Sequence, residues 1–286
     1  MPSLGLSNRL SRQGLAGRSI VSDGLLTRQL FNSDRIEPIS AGVLQCGSGN
    51  DFLRTNTNST NNEIFSGDFT LMAWVKTPDG DFSGDDCIMG VTNNPQEDRF
   101  YFNLDANNTV TGTAGSIEFF YEANNDYFSC ISDRVFYTGE NPWAHIAITI
   151  KKSTATNGAN IYLNGNLIKT GASDGVSTEN WEAWDNTDYI AIGGNKGHSG
   201  VVNLCAAGTL ITNAAIYDAE LTKAQVNNAM NNSYDNLTSA DKTNLRHWWD
   251  FGGQVGSDGS TGYTTSTFNL DYLRDRVTGT LGVLGG

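Results

Sequence analysis

The residues best suited to chemistry begin with two carboxylates on one strand-like segment. In Ile117-Glu118-Phe119-Phe120-Tyr121-Glu122, alternation puts Glu118, Phe120 and Glu122 on one face. Paired carboxylates flanking a glycosidic bond are the machinery of glycoside hydrolysis, one as acid and one as nucleophile. The spacing works against that chemistry here. Four strand residues separate the two Cα atoms by about 13 Å, whereas the carboxyl groups of a retaining pair sit about 5 to 5.5 Å apart. The expectation is a protein without enzymatic activity. His145 and His247 lie in apolar, aromatic segments, where a hydrogen-bonded structural histidine is expected rather than a catalytic base. No Ser or Cys occupies a nucleophile elbow, and no glycine-rich phosphate loop leads into a helix. Asp241 and Asp250 read as a first-turn acid and a strand-end group.

Two loops offer binding chemistry. Glu179-Asn180-Trp181-Glu182-Ala183-Trp184-Asp185-Asn186-Thr187-Asp188 sets Trp181 and Trp184 beside Asp185 and Asp188, so the rings suit stacking on sugar and the polar groups suit its hydroxyls. The alternative is that both rings cap a core or fill a subunit contact, and both readings stay open. In Asp79-Gly80-Asp81-Phe82-Ser83-Gly84-Asp85-Asp86 the carboxylates of Asp79, Asp81, Asp85 and Asp86 are hard donors of the kind Ca²⁺ takes. Asp and Gly also build turns, and no EF-hand spacing is present, so calcium and plain turn both stand. No other cofactor is expected. Cys46, Cys87, Cys130 and Cys205 lie far apart with no metal or redox spacing; buried free thiols are the default, with a disulfide as the lesser alternative.

The elements that must position these groups are strands. Of 286 residues only 38 % are apolar and 17 % charged, with 32 glycines, a texture of short strands and turns that argues against a helical bundle. Phe69 to Lys76 is apolar on both faces, as in a strand covered on both sides. In Trp143 to Ile150, Ala144, Ile146, Ile148 and Ile150 share one face, and Trp143, His145, Ala147 and Thr149 the other. Asn164-Gly165 between apolar runs predicts a type I′ hairpin. Leu210 to Tyr217 reads as a strand, followed by a helix to about Met230 with Thr222 and Gln225 as capping box and Leu221 stapled to Val226. A second cap at Thr238 or Ser239 predicts a further short helix to Asn244. Strands are expected again at Leu245 to Phe251 and Thr280 to Leu284.

Charge divides the chain. The formal net charge is -13, yet residues 1–35 carry +3, from arginines without a lysine, and the remainder -16. Such a basic arm seeks an acidic surface through bidentate guanidinium contacts, and an acidic body avoids nucleic acid. Met1 to Ser22 has no continuous apolar stretch of a secretory signal, and no run is long enough to span a bilayer. The domains expected are a basic arm over 1–41 and a β-sandwich over 42–286, with short helices in 219–244 and closing strands in 245–286.

The order of motifs resembles the laminin-G-like branch of the concanavalin A-like lectin/glucanase fold, over about residues 43 to 251. Val43 to Leu53 is similar to its opening strand and turn. Ser66-Gly67-Asp68-Phe69-Thr70-Leu71-Met72-Ala73-Trp74-Val75-Lys76, Pro142-Trp143-Ala144-His145-Ile146-Ala147 with Ile161-Tyr162-Leu163-Asn164-Gly165, and Ala215 to Thr222 follow in the family's order. The arm and Leu245-Arg246-His247-Trp248-Trp249-Asp250-Phe251-Gly252 resemble lamin-G-like structural proteins of tailed, especially marine, phages. The resemblance implies a jelly-roll β-sandwich of two antiparallel sheets, and often a calcium at a sheet rim. A glucanase of this fold has Asp where Phe120 stands, which again argues against hydrolysis. It further implies a non-enzymatic virion structural protein on the particle surface, as head decoration or tail appendage, synthesised in the host cytoplasm. Its arm would dock to other virion proteins through Arg9, Arg12, Arg18 and Arg28, with self-association and without direct nucleic-acid or membrane contact. The alternative reading is a carbohydrate-binding, lectin-like adhesion module for host-surface glycan, with a glucanase-type enzyme behind it.

Overall fold

A computed structural model of the chain describes residues 38, 42–46, 52–54, 65, 67–78, 86–92, 99–105, 115–123, 126–136, 141–152, 158–171, 174–175, 190–197, 200–251, 262–263, 275–277 and 283–285. The chain divides into two units, Met1–Glu37 and Pro38–Gly286. The first, with Arg9, Arg12, Arg18 and Arg28, lies outside the described residues.

The strands in chain order are β1 (Val43–Gln45), β2 (Phe52–Arg54), β3 (Phe69–Lys76), β4 (Asp86–Thr92), β5 (Arg99–Asp105), β6 (Ser116–Ala123), β7 (Asp126–Arg134), β8 (Ala144–Ile150), β9 (Ala159–Leu163) and β10 (Asn166–Thr170). They continue with β11 (Asp174–Gly175), β12 (Ala191–Ile192), β13 (Gly194–Gly197), β14 (Gly200–Leu204), β15 (Leu210–Tyr217), β16 (Leu245–Trp249), β17 (Gly262–Tyr263) and β18 (Val283–Gly285). Sheet I has the order β10-β9-β8-β3-β15-β1-β17, with β16 also on β15. Sheet II has the order β11-β7-β6-β5-β4-β12-β2-β18, and β13 and β14 form a separate ribbon. The pairs are antiparallel except β1 with β17. This is the jelly-roll sandwich that the motifs predicted.

The two sheets meet on one core. Phe69, Leu71, Ala73 and Val75 of β3 and Ala144, Ile146, Ile148 and Ile150 of β8 face Phe100, Phe102, Ile117, Phe119 and Phe128 of sheet II. Phe69 bridges the layers, its ring 5.9 Å from Phe119 and 5.2 Å from Phe65. Each such ring buried is worth about 1.5–3 kcal/mol. All four cysteines are buried free thiols. Burial pushes the Cys130 thiol up to about 12, against the pull of Lys169, so it stays protonated and unreactive.

A second core lies on the other face of sheet I. Met72, Ala147, Ala215, Tyr217 and Trp248 pack against Leu221, Val226 and Ala229 of α1 and its approach, where α1 spans Lys223–Met230. Thr222 caps α1 reciprocally with Gln225, as the sequence predicts. Thr70 Oγ1 donates to Ala219 O and accepts from Leu221 N, tying the turn before the helix to β3. Trp74 Nε1 donates to Met230 O at the helix end. Asn164 and Gly165 take left-handed φ of 48° and 73°, the type I′ hairpin. A Cβ on Gly165 would stand 1.7 Å from Asn227 Oδ1 of α1, so the turn and the helix need glycine there together.

Some elements differ from expectation. A 3-10 turn at Tyr234–Asn236 precedes the segment expected to form the second short helix. Thr238 and Asp241 do form a cap, but only turns follow over 239–244. The strand at Leu245 stops at Trp249, and Phe251 turns left-handed with φ 48°. The final strand is Val283–Gly285, hydrogen-bonded to β2 at the edge of sheet II. His145 is 1 % exposed, edge-on to Trp74, and its Nδ1 has no hydrogen-bond partner, unlike the bonded histidine expected.

Two measurements test this packing. Gly165→Ala is expected to lower stability by about 1–3 kcal/mol, from left-handed strain plus the displaced Asn227; an unchanged urea midpoint would show the turn and helix to be independent. Burial lowers the His145 pKa to about 3, from 6.5. An unfolded chain therefore takes up a proton that the fold refuses, and stability present above pH 6.5 drains as pH falls towards 3. His145→Gln should flatten the urea-unfolding pH profile in that window by up to about 1.4 kcal/mol per pH unit; parallel profiles would refute a neutral buried ring.

Candidate functional site

The polar side chains of interest lie on the face of sheet II turned away from the sandwich core. β5 sends Phe100, Phe102 and Leu104 into the core, so alternation turns Tyr101 and Asn103 outward. β6 sends Ile117, Phe119 and Tyr121 inward and turns Glu118 and Phe120 outward; β7 sends Phe128 and Cys130 inward and turns Ser129 and Ile131 outward. Register completes the arrangement. Tyr101 lies opposite Phe120, and Phe120 opposite Ser129; one row along, Asn103 lies opposite Glu118, and Glu118 opposite Ile131. Cys87 of β4 flanks Asn103.

Gly115 fixes where β6 begins. Its carbonyl accepts from Val135 N and Phe136 N, and a Cβ there would meet Phe136 O at 2.2 Å. The Ser132 hydroxyl accepts from Ile117 N across a register shift between β6 and β7. Anchored in this way, the Tyr101 and Phe120 rings stack with centroids 5.7 Å apart and 14° between planes.

The face is recessed. Tyr101 is 6 % exposed, Asn103 1 %, Glu118 4 % and Ser129 0 %, while Phe120 is half-buried. Asn103 Oδ1 and Ser129 Oγ have no hydrogen-bond partner. A buried polar atom left unpaired costs about 1–3 kcal/mol, so the fold holds two such groups at a loss beside a stacked aromatic pair. An arrangement of that kind is suited to a ligand with an apolar face and hydroxyls at its edge.

The other groups fall elsewhere. Glu122 is in β6, but its side chain lies outside the described residues. Trp181, Trp184, Asp185 and Asp188 lie outside them too, as do Asp79, Asp81 and Asp85; Asp86 opens β4 with its side chain undescribed. Among the described residues no three His, Cys, Asp or Glu side chains come together to hold a metal. His247 Nδ1 is 2.7 Å from Asp275 Oδ2, and Asp275 Oδ1 accepts from Trp248 N and Val277 N. That buried pair fastens residues 275–277 to β16, the structural role expected of His247. Asp250 accepts from Arg276 Nη1. The Thr238 hydroxyl and N–H hold the Asp241 carboxyl below its usual range, and the cleft beside it, lined by Tyr217, Gln225 and Asn228, has room for about one water.

Sequence reasoning located Glu118 and Phe120 and missed Tyr101, Asn103 and Ser129. The signal was the alternation in Arg99-Phe100-Tyr101-Phe102-Asn103-Leu104, where every second residue carries a polar atom. One consequence is open to direct measurement. Because Ser129 Oγ lacks a partner, Ser129→Ala should leave the melting temperature unchanged or raise it by the equivalent of about 1 kcal/mol; a loss of that size would show the hydroxyl to be bonded.

The molecule is similar in fold to several solved structures. A Bacteroides ovatus protein provisionally described as carbohydrate binding superposes with TM-score 0.55 and 14 % identity, covering 87 % of this chain and 60 % of that one. This chain therefore spans about three fifths of that structure's length. The Ruminococcus gnavus IT-sialidase CBM40 bound to α2,3-sialyllactose gives 0.48 at 12 % identity, over 68 % of this chain and all of that one. The SAP-like pentraxin of Limulus polyphemus gives 0.42 at 15 %, over 65 % and 79 %. None of the curated proteins matches the chain in sequence. The Laminin_G_3 family model, described as concanavalin A-like lectin/glucanases superfamily, matches residues 47–227. With more than half its length so matched and the sandwich in place, the chain belongs to the concanavalin A-like lectin/glucanases superfamily.

Proposed function

We propose that this chain is a non-catalytic carbohydrate-binding domain whose ligand lies on the outer face of sheet II. The observation that carries the reading is the pair of unpartnered polar atoms, Asn103 Oδ1 and Ser129 Oγ, beside the stacked Tyr101 and Phe120 rings. A pyranose ring has C–H faces that stack on aromatics and a rim of hydroxyls of the kind that satisfies such atoms. Phe120, half-buried while its neighbours are covered, is the edge over which a ligand would reach them. The superfamily includes lectins, and the Bacteroides ovatus neighbour's description adds weight in the same direction.

Binding without hydrolysis follows from Phe120. It stands between Glu118 and position 122, so the strand offers a stacking surface where a glycosidase would need a carboxylate beside its partner.

Tyr101→Ala and Phe120→Ala are each expected to weaken glycan binding about tenfold, measured by calorimetry on a hit from a glycan array. An array without hits refutes the reading. Binding that survives both substitutions and disappears in Trp181→Ala, Trp184→Ala moves the site to that loop.

The charge asymmetry between residues 1–35 and the remainder favours a second, compatible reading, in which the domain is displayed on a virion through its arm. Mass spectrometry of purified particles tests it. Copies in the hundreds would indicate a head-wide role, fewer a tail or vertex appendage, and absence would end it.

A further inference from the structure

Resting on the carbohydrate reading above, we infer that this face takes an oligosaccharide and reads it as at least two sugar units, one at Ser129 and the next at Asn103. The argument is one of distance. Tyr101, Phe120 and Ser129 form one row across β5, β6 and β7, and Asn103 stands two residues along β5 from Tyr101. With strands about 4.8 Å apart and a rise of about 3.4 Å per residue, Ser129 and Asn103 are separated by about 12 Å on the diagonal. Strand side chains stand roughly perpendicular to their sheet. The two unpartnered atoms, Ser129 Oγ and Asn103 Oδ1, therefore keep a separation of that order.

One pyranose does not serve both. Its opposite hydroxyl oxygens are separated by little more than one strand spacing, and a hydrogen bond at either end adds about 2.8 Å. Only a ring lying flat and in line between the two atoms would approach the distance, and β6 stands in that line. Phe120 lies opposite Ser129 and Glu118 opposite Asn103, and each has a longer side chain than the serine or the amide beside it. Together they make a ridge between the two orphan atoms. A ring on the β7 side of Phe120 meets Ser129; a ring on the β5 side, past the stacked Tyr101, meets Asn103. Two units linked across the ridge reach both atoms, whereas one unit leaves the other atom as it is in the free protein. At this separation, and with no shared partner, the two contacts contribute independently.

The test is a length series on the wild-type protein, in which every mono- and disaccharide fragment of a glycan-array hit is titrated by calorimetry as its methyl glycoside. The best disaccharide is expected to bind at least about tenfold more tightly than any monosaccharide. Ser129→Ala and Asn103→Ala should each weaken that disaccharide about five- to tenfold, with the losses multiplying in the double variant, while no monosaccharide responds to both. The wild-type series decides the matter should a variant fail to fold. A monosaccharide that binds as tightly as any disaccharide, or that both substitutions weaken, would overturn the inference and leave the carbohydrate reading standing. A glycan array without hits would overturn both.

Discussion

The packing of this molecule follows from the central strand of sheet I, β3, being buried on both faces. Every residue of β3 from Phe69 to Val75 is buried, because Phe69, Leu71, Ala73 and Val75 enter the sandwich while Met72 packs under α1 and Trp74 bonds to its last residue. A strand so enclosed has no face left for a ligand. The helix that closes it is itself held by its cap at Thr222, by the bond from Leu221 to Thr70, and by the close approach of Asn227 to Gly165. The face of sheet II turned away from the sandwich carries two unpaired polar atoms, Asn103 Oδ1 and Ser129 Oγ.

The two histidines show why unpaired groups matter. His247 is buried and bonded to Asp275, whose other oxygen takes two backbone N–H groups. Such a network is structural in the ordinary sense: each polar group that loses water gains a partner. His145 is buried with a bare Nδ1, but it lies beneath the helix layer with Trp74 against it, and neutrality is how it meets that cost. Asn103 and Ser129 have no such remedy, because an amide oxygen and a hydroxyl cannot shed polarity by titrating.

Sheet I was legible in the sequence because its signals are local. Asn164-Gly165 specifies a turn within two residues, Thr222 and Gln225 specify a helix start within four, and the two-sided apolarity of Phe69 to Lys76 announces a buried strand without knowledge of its neighbours. The candidate site was legible only in part, for the opposite reason. Tyr101, Asn103 and Ser129 acquire meaning from register across β5, β6 and β7, and that register is shifted between Cys87 and Met89 on one side and between Ser116 and Glu118 on the other. Neither shift can be read from one strand alone. The same non-locality explains the second short helix: Thr238 has the cap chemistry, but the turns after it must deliver Leu245 to β16, where Leu245 pairs with Tyr217, and no room remains for a helix.

Phe120 gives the site its character. On a strand where Glu118 already provides a carboxylate, a second acid in its place would set two acidic residues about 7 Å apart along the backbone, on one face as a pair flanking a scissile glycosidic bond must be. The phenyl ring does the reverse. It stacks on Tyr101 and adds apolar area where charge would have been. On the carbohydrate reading proposed above, a ring in place of a charge at this one position gives the strand a stacking surface that the packed sandwich behind it holds in place.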